Sequence, residues 1–409
     1  MCEISSMYNI EELAKYIGLN DTPNSWYGAY KEIKEKKLPE TILEKDLLSE
    51  ILEYYEVNDM DFKSNILDTV DLVKKDEKLQ VIVYLLYYIL YIDNTGLYKD
   101  VWNWKMSTNL FKSAGNYMIP VIVLLSGCKL HKENMRKRNY DKEQINEQKK
   151  NIRECCLLDK KRFNIDGIRF SQMVWGSYFI NGRIIQVGRL QYEYLNEVPY
   201  EIAKYKNYDY FKIHISRGKE LNEDEVDESI YRSKNKIKNF YPEIDLSRLL
   251  FFTKSWLLSN ELDNILDKES NIIKFKSKFK IIKQIENKSD FLNFVFDEKK
   301  DNIDYNNLKE ETKLQKELKK FFLSNKKLHI GLGILKDNEI IVVQTWCGEQ
   351  TLFASSAREE CSDNLIQEQA KVGLITLDEY NLARDSNVSY LYIRQNQWTL
   401  TPYNNSQAW

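Results

Sequence analysis

The sequence has little to offer metal chemistry. Its 409 residues include six cysteines and three histidines. Cys155-Cys156 is a vicinal pair, Cys2 and Cys128 stand alone, and Cys347 and Cys361 lie far downstream; no set with His131, His214 and His329 has the spacing of zinc ligands. No metal is expected. A broad basic surface is lacking as well: 60 lysines and arginines against 62 aspartates and glutamates leave a net charge of −2, which argues against nucleic acid as the main partner. The apolar stretches 79–92 and 117–125 fall short of the about 20 residues that a bilayer span needs. Near the N-terminus stand Glu3, Glu11 and Glu12 rather than a basic region before an apolar run. The expectation is a cytoplasmic chain with reduced thiols and no membrane partner. A Ser-His-Asp relay, a nucleophile elbow and a Walker loop are also missing.

What is present is a folded chain, with 43% hydrophobic and 13% aromatic residues, long enough for two domains or more. Residues 1–157 read as helix throughout. The run from Ile10 to Ile17 closes on Gly18, and Leu47, Ile51, Leu52 and Tyr55 follow helical spacing, as do Ile66, Val70 and Val73. Residues 79–92 are apolar on nearly every side and should form the central helix; 117–125 should be a second buried helix, with Pro120 tolerated in its first turn.

From Phe163 the period changes to that of strands. Residues 173–180 and 183–192 are β-rich runs joined by Asn181-Gly182, the preferred sequence of a tight type I′ hairpin turn. In the next strand, 209–216, Phe211, Ile213 and Ile215 alternate with Lys212, His214 and Ser216. A helix from about 223 to 240 ends at Tyr241-Pro242, and a strand follows at 249–255. Further on, 256–266 reads as helix, 271–279 and 280–285 as strands, and 310–322 as helix. Residues 328–335 should pair with 339–345 across Asp337-Asn338. After Trp346 the composition shifts, with Lys371 the single lysine; a capping box at 376–379 and a small hairpin of 388–393 with 397–401 mark an appended segment.

Between the strand 209–216 and its helix lies Ser216-Arg217-Gly218-Lys219. A strand that runs through a glycine loop into a helix start is a ready anion site, because free N–H groups and the helix dipole converge there. Arg217 and Lys219 add positive charge, whereas Glu220, Glu223, Asp224 and Glu225 suit the helix dipole but repel phosphate. The alternative is an ordinary strand-to-helix turn with acidic capping.

Several motifs resemble one family. They are Gly188-Arg-Leu-Gln-Tyr-Glu193, Ile213-His-Ile-Ser-Arg-Gly218, Ser255-Trp-Leu-Leu258 and Ser270-Asn-Ile-Ile-Lys-Phe275, in that order. The chain resembles, over roughly 5–335, the bacterial two-domain acyltransferases with a helical N-terminal domain and a C-terminal domain related to GNAT N-acyltransferases. The resemblance implies an α+β fold: a helical domain at 1–157, a GNAT-like mixed and mostly antiparallel sheet flanked by helices at 158–345, and the appended 346–409. It also implies transfer of an acyl group from acyl-CoA or acetyl-CoA, as co-substrate, to an amine or hydroxyl of a small-molecule acceptor. The thioester would lie between strands 209–216 and 249–255, with its pyrophosphate over Ser216, Arg217, Gly218 and Lys219. GNAT enzymes carry a Gln/Arg-x-x-Gly-x-Gly/Ala loop at that point, and this loop keeps one glycine.

Candidate catalytic residues follow from the reaction. A neutral amine attacks a thioester, so a proton acceptor is needed, and His214 suits that role; a hydrogen-bonded structural histidine is the alternative. Glu193, at the end of the second hairpin strand, is the other candidate base, against an exposed strand-end carboxylate. Ser255 is a candidate for protonating the thiolate or holding substrate, against a helix N-cap. Arg189 and Gln191 share Glu193's strand face and are candidates for an acceptor pocket. Trp175 and Trp256 read as core or pocket wall. Two rival functions stand beside acyl transfer: a non-catalytic CoA- or nucleotide-binding module, which the thinned glycine loop favours, and a protein-interaction module.

Overall fold

The computed structural model describes residues 8–35, 43–92, 117–195, 198–205, 208–217, 219–298 and 303–336, and the backbone of five later strands. Two compact units emerge: one comprises 1–193 with 229–243, the other 194–228 with 244–409. Among the described residues, no helix is long and apolar enough to cross a membrane.

The first unit is built on capped helices. Asn9, Asp59 and Asp76 each accept a backbone N–H at the start of Ile10–Tyr16, Met60–Lys75 and Glu77–Tyr87. Asp141 and Gln144 form a reciprocal capping box for Lys142–Phe163. The core helices are those expected from the apolar runs. Glu77–Tyr87 continues as a π-helical turn through Tyr88–Ile92, and Met118–Ser126 is buried along nearly its whole length with Pro120 in its first turn.

The hairpin expected at 173–194 is corrected. Phe170–Ile180 is a helix. Its last five residues, 176–180, are all buried, so alternation carries no signal there, and a short apolar run does not distinguish strand from helix. Gly176 lets Leu124 of a neighbouring helix approach to 2.7 Å of where a Cβ would stand. Asn181-Gly182 ends this helix rather than turning a hairpin. Gly182 has φ 69°, its N–H donates to Phe179 O at 2.9 Å, and Arg183 N–H donates to Tyr178 O at 2.9 Å, the pattern of a Schellman stop. The true hairpin follows: β1 (Ile184–Val187) and β2 (Leu190–Leu195) pair antiparallel across Gly188-Arg189, with Gly188 at φ 56°.

β3 (Asp209–Ile215) and β4 (Leu249–Ser255) of the second unit lie parallel, and the helix Glu223–Phe240, which comes between them in the chain, has residues 223–228 in the second unit and 229–240 in the first. β6 (His329–Leu335) runs antiparallel between β4 and β5 (Phe279–Glu286). The resulting mixed sheet has the order β1-β2-β3-β4-β6-β5. Four further expectations change. Residues 271–277 form a helix, Asn271–Ser277, capped by Ser270; 256–266 become two 3₁₀ turns, Trp256–Leu258 and Asn260–Asn264. The helix expected at 310–322 starts at Lys313 on a Thr312–Gln315 capping box. β6 does not turn back onto 339–345: it is taken on both edges by β4 and β5, while β7 (Ile341–Trp346) pairs with β8 (Thr351–Ala354) and β9 (Ala370–Ile375). β10 (Tyr390–Arg394) and β11 (Gln397–Thr401) form the expected late hairpin. Asp337-Asn338 and the capping box at 376–379 lie outside the described residues.

One buried group in the first unit has a measurable consequence. His131 is 1% exposed, and its Nδ1 shares a 2.9 Å hydrogen bond with the Tyr55 hydroxyl. Burial pushes the imidazole down to about 3. An unfolded histidine titrates near about 6.5, so the unfolded chain binds one more proton between those values, and stability falls with falling pH there. Replacing His131 with Asn should flatten the pH dependence of unfolding in denaturant between about pH 6.5 and 3. Parallel curves for variant and wild type would show that this histidine is not the cause.

Candidate functional site

The ladder between β3 and β4 is short. Asp209, Tyr210, Phe211 and Lys212 register with Leu249, Leu250, Phe251 and Phe252, and the pairing then stops although both strands continue for three residues. Beyond it the Thr253 hydroxyl donates to the Ile213 carbonyl at 2.9 Å, a side-chain bond where a ladder bond would otherwise stand. The two strands thus part at their C-terminal ends, where the loop 216–222 and the start of Glu223–Phe240 follow at once.

Alternation along β3 is as expected. Phe211 and Ile213 are buried on one side; Lys212 and His214 are half-buried on the other. Ser255 serves as a cap: its Oγ accepts from Leu257 N–H at 3.2 Å. Trp256 packs on Phe291 with ring centres 5.7 Å apart, and Trp175 packs against Tyr178 and Phe179, so both tryptophans are packing residues. Glu193 belongs to the first unit. It is not an exposed strand end: it is 4% exposed and accepts from Arg183 Nε at 2.6 Å. Arg189 and Gln191 on the same strand are buried too.

In the loop, Gly218 lies outside the described residues. Arg217 turns toward the segment after β5. Its guanidinium donates to Asn293 O at 3.1 Å, stands 3.6 Å from Asp297 and stacks over Phe294 at 4.1 Å. The acidic start of Glu223–Phe240 is partly offset by the helix Asn271–Ser277 and the residue after it. Lys274 and Lys278 approach Glu223 at 3.3 and 3.6 Å, and Lys278 approaches Asp227 at 2.5 Å. The hydrogen bond from Lys274 leads in holding the Glu223 carboxyl below its usual range.

Two groupings escaped the sequence. The first surrounds Asp290, in the helix Ser289–Val295: burial pushes its carboxyl above the usual range, against Asn287 and the charges of Lys254, Lys212 and Arg217. The second joins residues far apart in the chain. His329 Nδ1 lies 2.5 Å from Glu261 Oε1, and the Ser259 hydroxyl donates to the other carboxylate oxygen. This contact depends on Gly331 and Gly333. A Cβ on Gly331 would stand 2.4 Å from Leu258 O, and one on Gly333 2.8 Å from Leu258 Cδ1, so the turn after β4 can lie directly on β6. Glycines in a strand are the one signal that a close approach was coming. Among the described residues no group of His, Cys, Asp and Glu could hold a metal ion.

Residues 184–335, which run from β1 to the end of β6, match the GNAT-like C-terminal domain, and the chain carries such a domain there. No curated protein matches the chain. Among solved structures, an acyltransferase in complex with decanoyl-CoA is 18% identical with a TM-score of 0.62; the match covers 80% of this chain and 99% of that one. An acyltransferase in complex with decanoyl-CoA and teicoplanin is 17% identical with a TM-score of 0.63, over the same shares. A mutant acyltransferase in complex with octanoyl-CoA is 16% identical with a TM-score of 0.63. At these identities the likeness is one of fold.

The Glu261–His329 contact has a pH signature. Burial pushes the Glu261 carboxyl up, but the hydrogen bonds from Ser259 and His329 outweigh it, and the net direction is down. A carboxyl lowered on folding stabilises the protein above its unfolded pKa, about 4.3, and that contribution is lost as pH falls through the folded value. Glu261→Gln should therefore lower the melting temperature at pH 7, and the gap should close as pH drops below about 4. A gap constant down to pH 3 would mean that the carboxylate charge is not what holds the turn.

Proposed function

We propose that the chain is an acyl-CoA-dependent acyltransferase that moves an acyl group to the amine or hydroxyl of a small-molecule acceptor. The observation that carries this reading is the parallel pair β3–β4, whose ladder ends after four residue pairs just before a loop and a helix start, inside a GNAT-like domain. A gap between parting strands admits an extended thioester arm, and its carbonyl finds backbone groups no longer committed to a ladder. The fold neighbours named above, described in complex with decanoyl-CoA and octanoyl-CoA, support the reading.

In the reaction the acceptor nitrogen or oxygen attacks the thioester carbonyl carbon. The new C–N or C–O bond forms, the C–S bond breaks, and CoA leaves as a thiolate. His214 takes the acceptor's proton, directly or through a water, and the thiolate is protonated in turn. Lys219 and the loop's backbone N–H groups meet the donor's pyrophosphate. Arg217, tied to Asn293 and Asp297, holds the loop in place rather than offering its whole charge to phosphate. Ser255 and Glu193 take smaller parts in this scheme, since one caps a turn and the other pairs with Arg183. Cytoplasmic action fits the free buried thiols Cys128, Cys155 and Cys156. A second reading, a CoA-binding module without turnover, is favoured by the loop's single glycine.

Calorimetric titration with CoA and a thiol-release assay with medium-chain acyl-CoAs test the proposal. His214→Ala should lower turnover about 10²–10⁴-fold with CoA affinity and melting temperature nearly unchanged. Binding of CoA without thiol release for any acceptor tried would favour the second reading. No CoA binding at all would remove both.

A further inference from the structure

A cavity in the second unit has no task in the scheme above. It holds about 450 Å³ and opens where β5 leaves the sheet and β6 enters it, on the far side of β4 from the β3–β4 gap. Local structure builds its rim. The helix Lys313–Leu323 stops at Asn325, whose φ is 52°, and the N–H groups of Asn325 and Lys326 donate to Phe322 O and Phe321 O at 3.2 Å each. That stop places Lys326 and Lys327 at the cavity, directly before the buried Leu328. Across from them the Asn287 N–H donates to Leu328 O at 2.9 Å, which extends the β5–β6 pairing to the rim and brings Glu286 and Lys288 there.

The cavity has an aromatic wall and a cationic mouth. The rings of Tyr305 and Phe322 lie 5.0 Å apart at 34°, Phe322 buried and Tyr305 half-buried. Of the charged residues that line it, three are lysines, Lys288, Lys326 and Lys327, and one is a carboxylate, Glu286. Lys327 pairs with Glu286 at 2.8 Å. The other two meet no carboxylate: Lys288 donates to the Tyr305 hydroxyl at 3.1 Å, and Lys326 stands 5.0 Å over the Phe321 ring. Glu286 is itself outnumbered, since Lys327 first, then His329 and Lys288, hold its carboxyl below the usual range. Small-molecule sites span about 300–1,000 Å³ and join apolar walls to a few polar groups. A flat ring finds surface on the aromatic wall, and a phosphate on that ring finds ammonium donors at the mouth.

We infer that this cavity binds a nucleoside phosphate, with the base toward Tyr305 and Phe322 and the phosphate toward Lys288 and Lys326. A free nucleotide and the nucleotide end of CoA share that chemistry, and two titrations separate them. The inference does not depend on acyl transfer, because a nucleotide without an acyl group serves as its probe.

Adenosine monophosphate, ribose phosphate and CoA are titrated separately into the full chain, wild type and Lys288→Gln/Lys326→Gln, at low and at physiological ionic strength. Adenosine monophosphate should bind wild type at least about fivefold tighter than ribose phosphate, and more weakly as salt rises. The double variant should lose about tenfold in that affinity with its melting temperature unchanged, and Lys288→Arg/Lys326→Arg should keep most of it. CoA that weakens in step with adenosine monophosphate assigns the cavity to the donor's nucleotide end; CoA that is unaffected assigns it to a free nucleotide. Both results uphold the site. Equal binding of adenosine monophosphate to wild type and the glutamine variant, or binding to neither, would overturn it. Ribose phosphate that binds as tightly as the nucleotide would overturn the role of the aromatic wall, and with it the nucleoside assignment.

Discussion

The site hangs on how β4 divides its two edges. Its first four residues ladder with β3, and Phe252 to Ser255 ladder with β6 on the opposite edge. Backbone N–H and C=O groups in a sheet must be paired, so β4 cannot follow β3 outward without giving up its bonds to β6. The gap between β3 and β4 is therefore held open from the far side. Thr253 answers the Ile213 carbonyl with a hydroxyl, which satisfies that acceptor without closing the gap. A valine there would fill the same volume and leave a buried carbonyl short of its partner, at a cost of about 1–3 kcal/mol.

What holds β6 in turn is a pair of absent side chains. Gly331 and Gly333 face the turn Trp256–Leu258, and a methyl group at Gly331 would collide with backbone, which has nowhere to move. Leu258 is fully buried on this surface. The turn then delivers Ser259 and Glu261 to His329, so the chain leaving β4 is tied back to β6 by polar groups as well as by packing. Strand, turn and glycine face form one rigid wall for the gap.

The sequence was most readable where one face is polar and the other buried. The alternation of Phe211, Lys212, Ile213 and His214 announced β3 with its correct sides. It failed where burial is complete. Residues 176–180 are all buried and set no period, and Asn181-Gly182 satisfies a helix stop as well as a hairpin turn, because both need a residue with positive φ. Residues 271–279 misled for another reason: Ile272, Ile273 and Phe275 suit a strand by type, but the Ser270 cap and the following lysines settle a short helix. The place of His214 on its strand was legible because its neighbours in sequence are its neighbours on the strand. The contact of His329 with Glu261 spans 68 residues and has no local pattern at all.

Charge explains how a loop with a single glycine is held at its ends. A glycine-rich loop lets backbone N–H groups come close to an anion because no Cβ intervenes. Here Gly218 is alone, and the loop gains definition from outside: Arg217 is anchored on Asn293, Phe294 and Asp297, and Glu223 on Lys274 and Lys278. These ties fix both ends of the loop and remove two of its charges from the field that an incoming anion would meet.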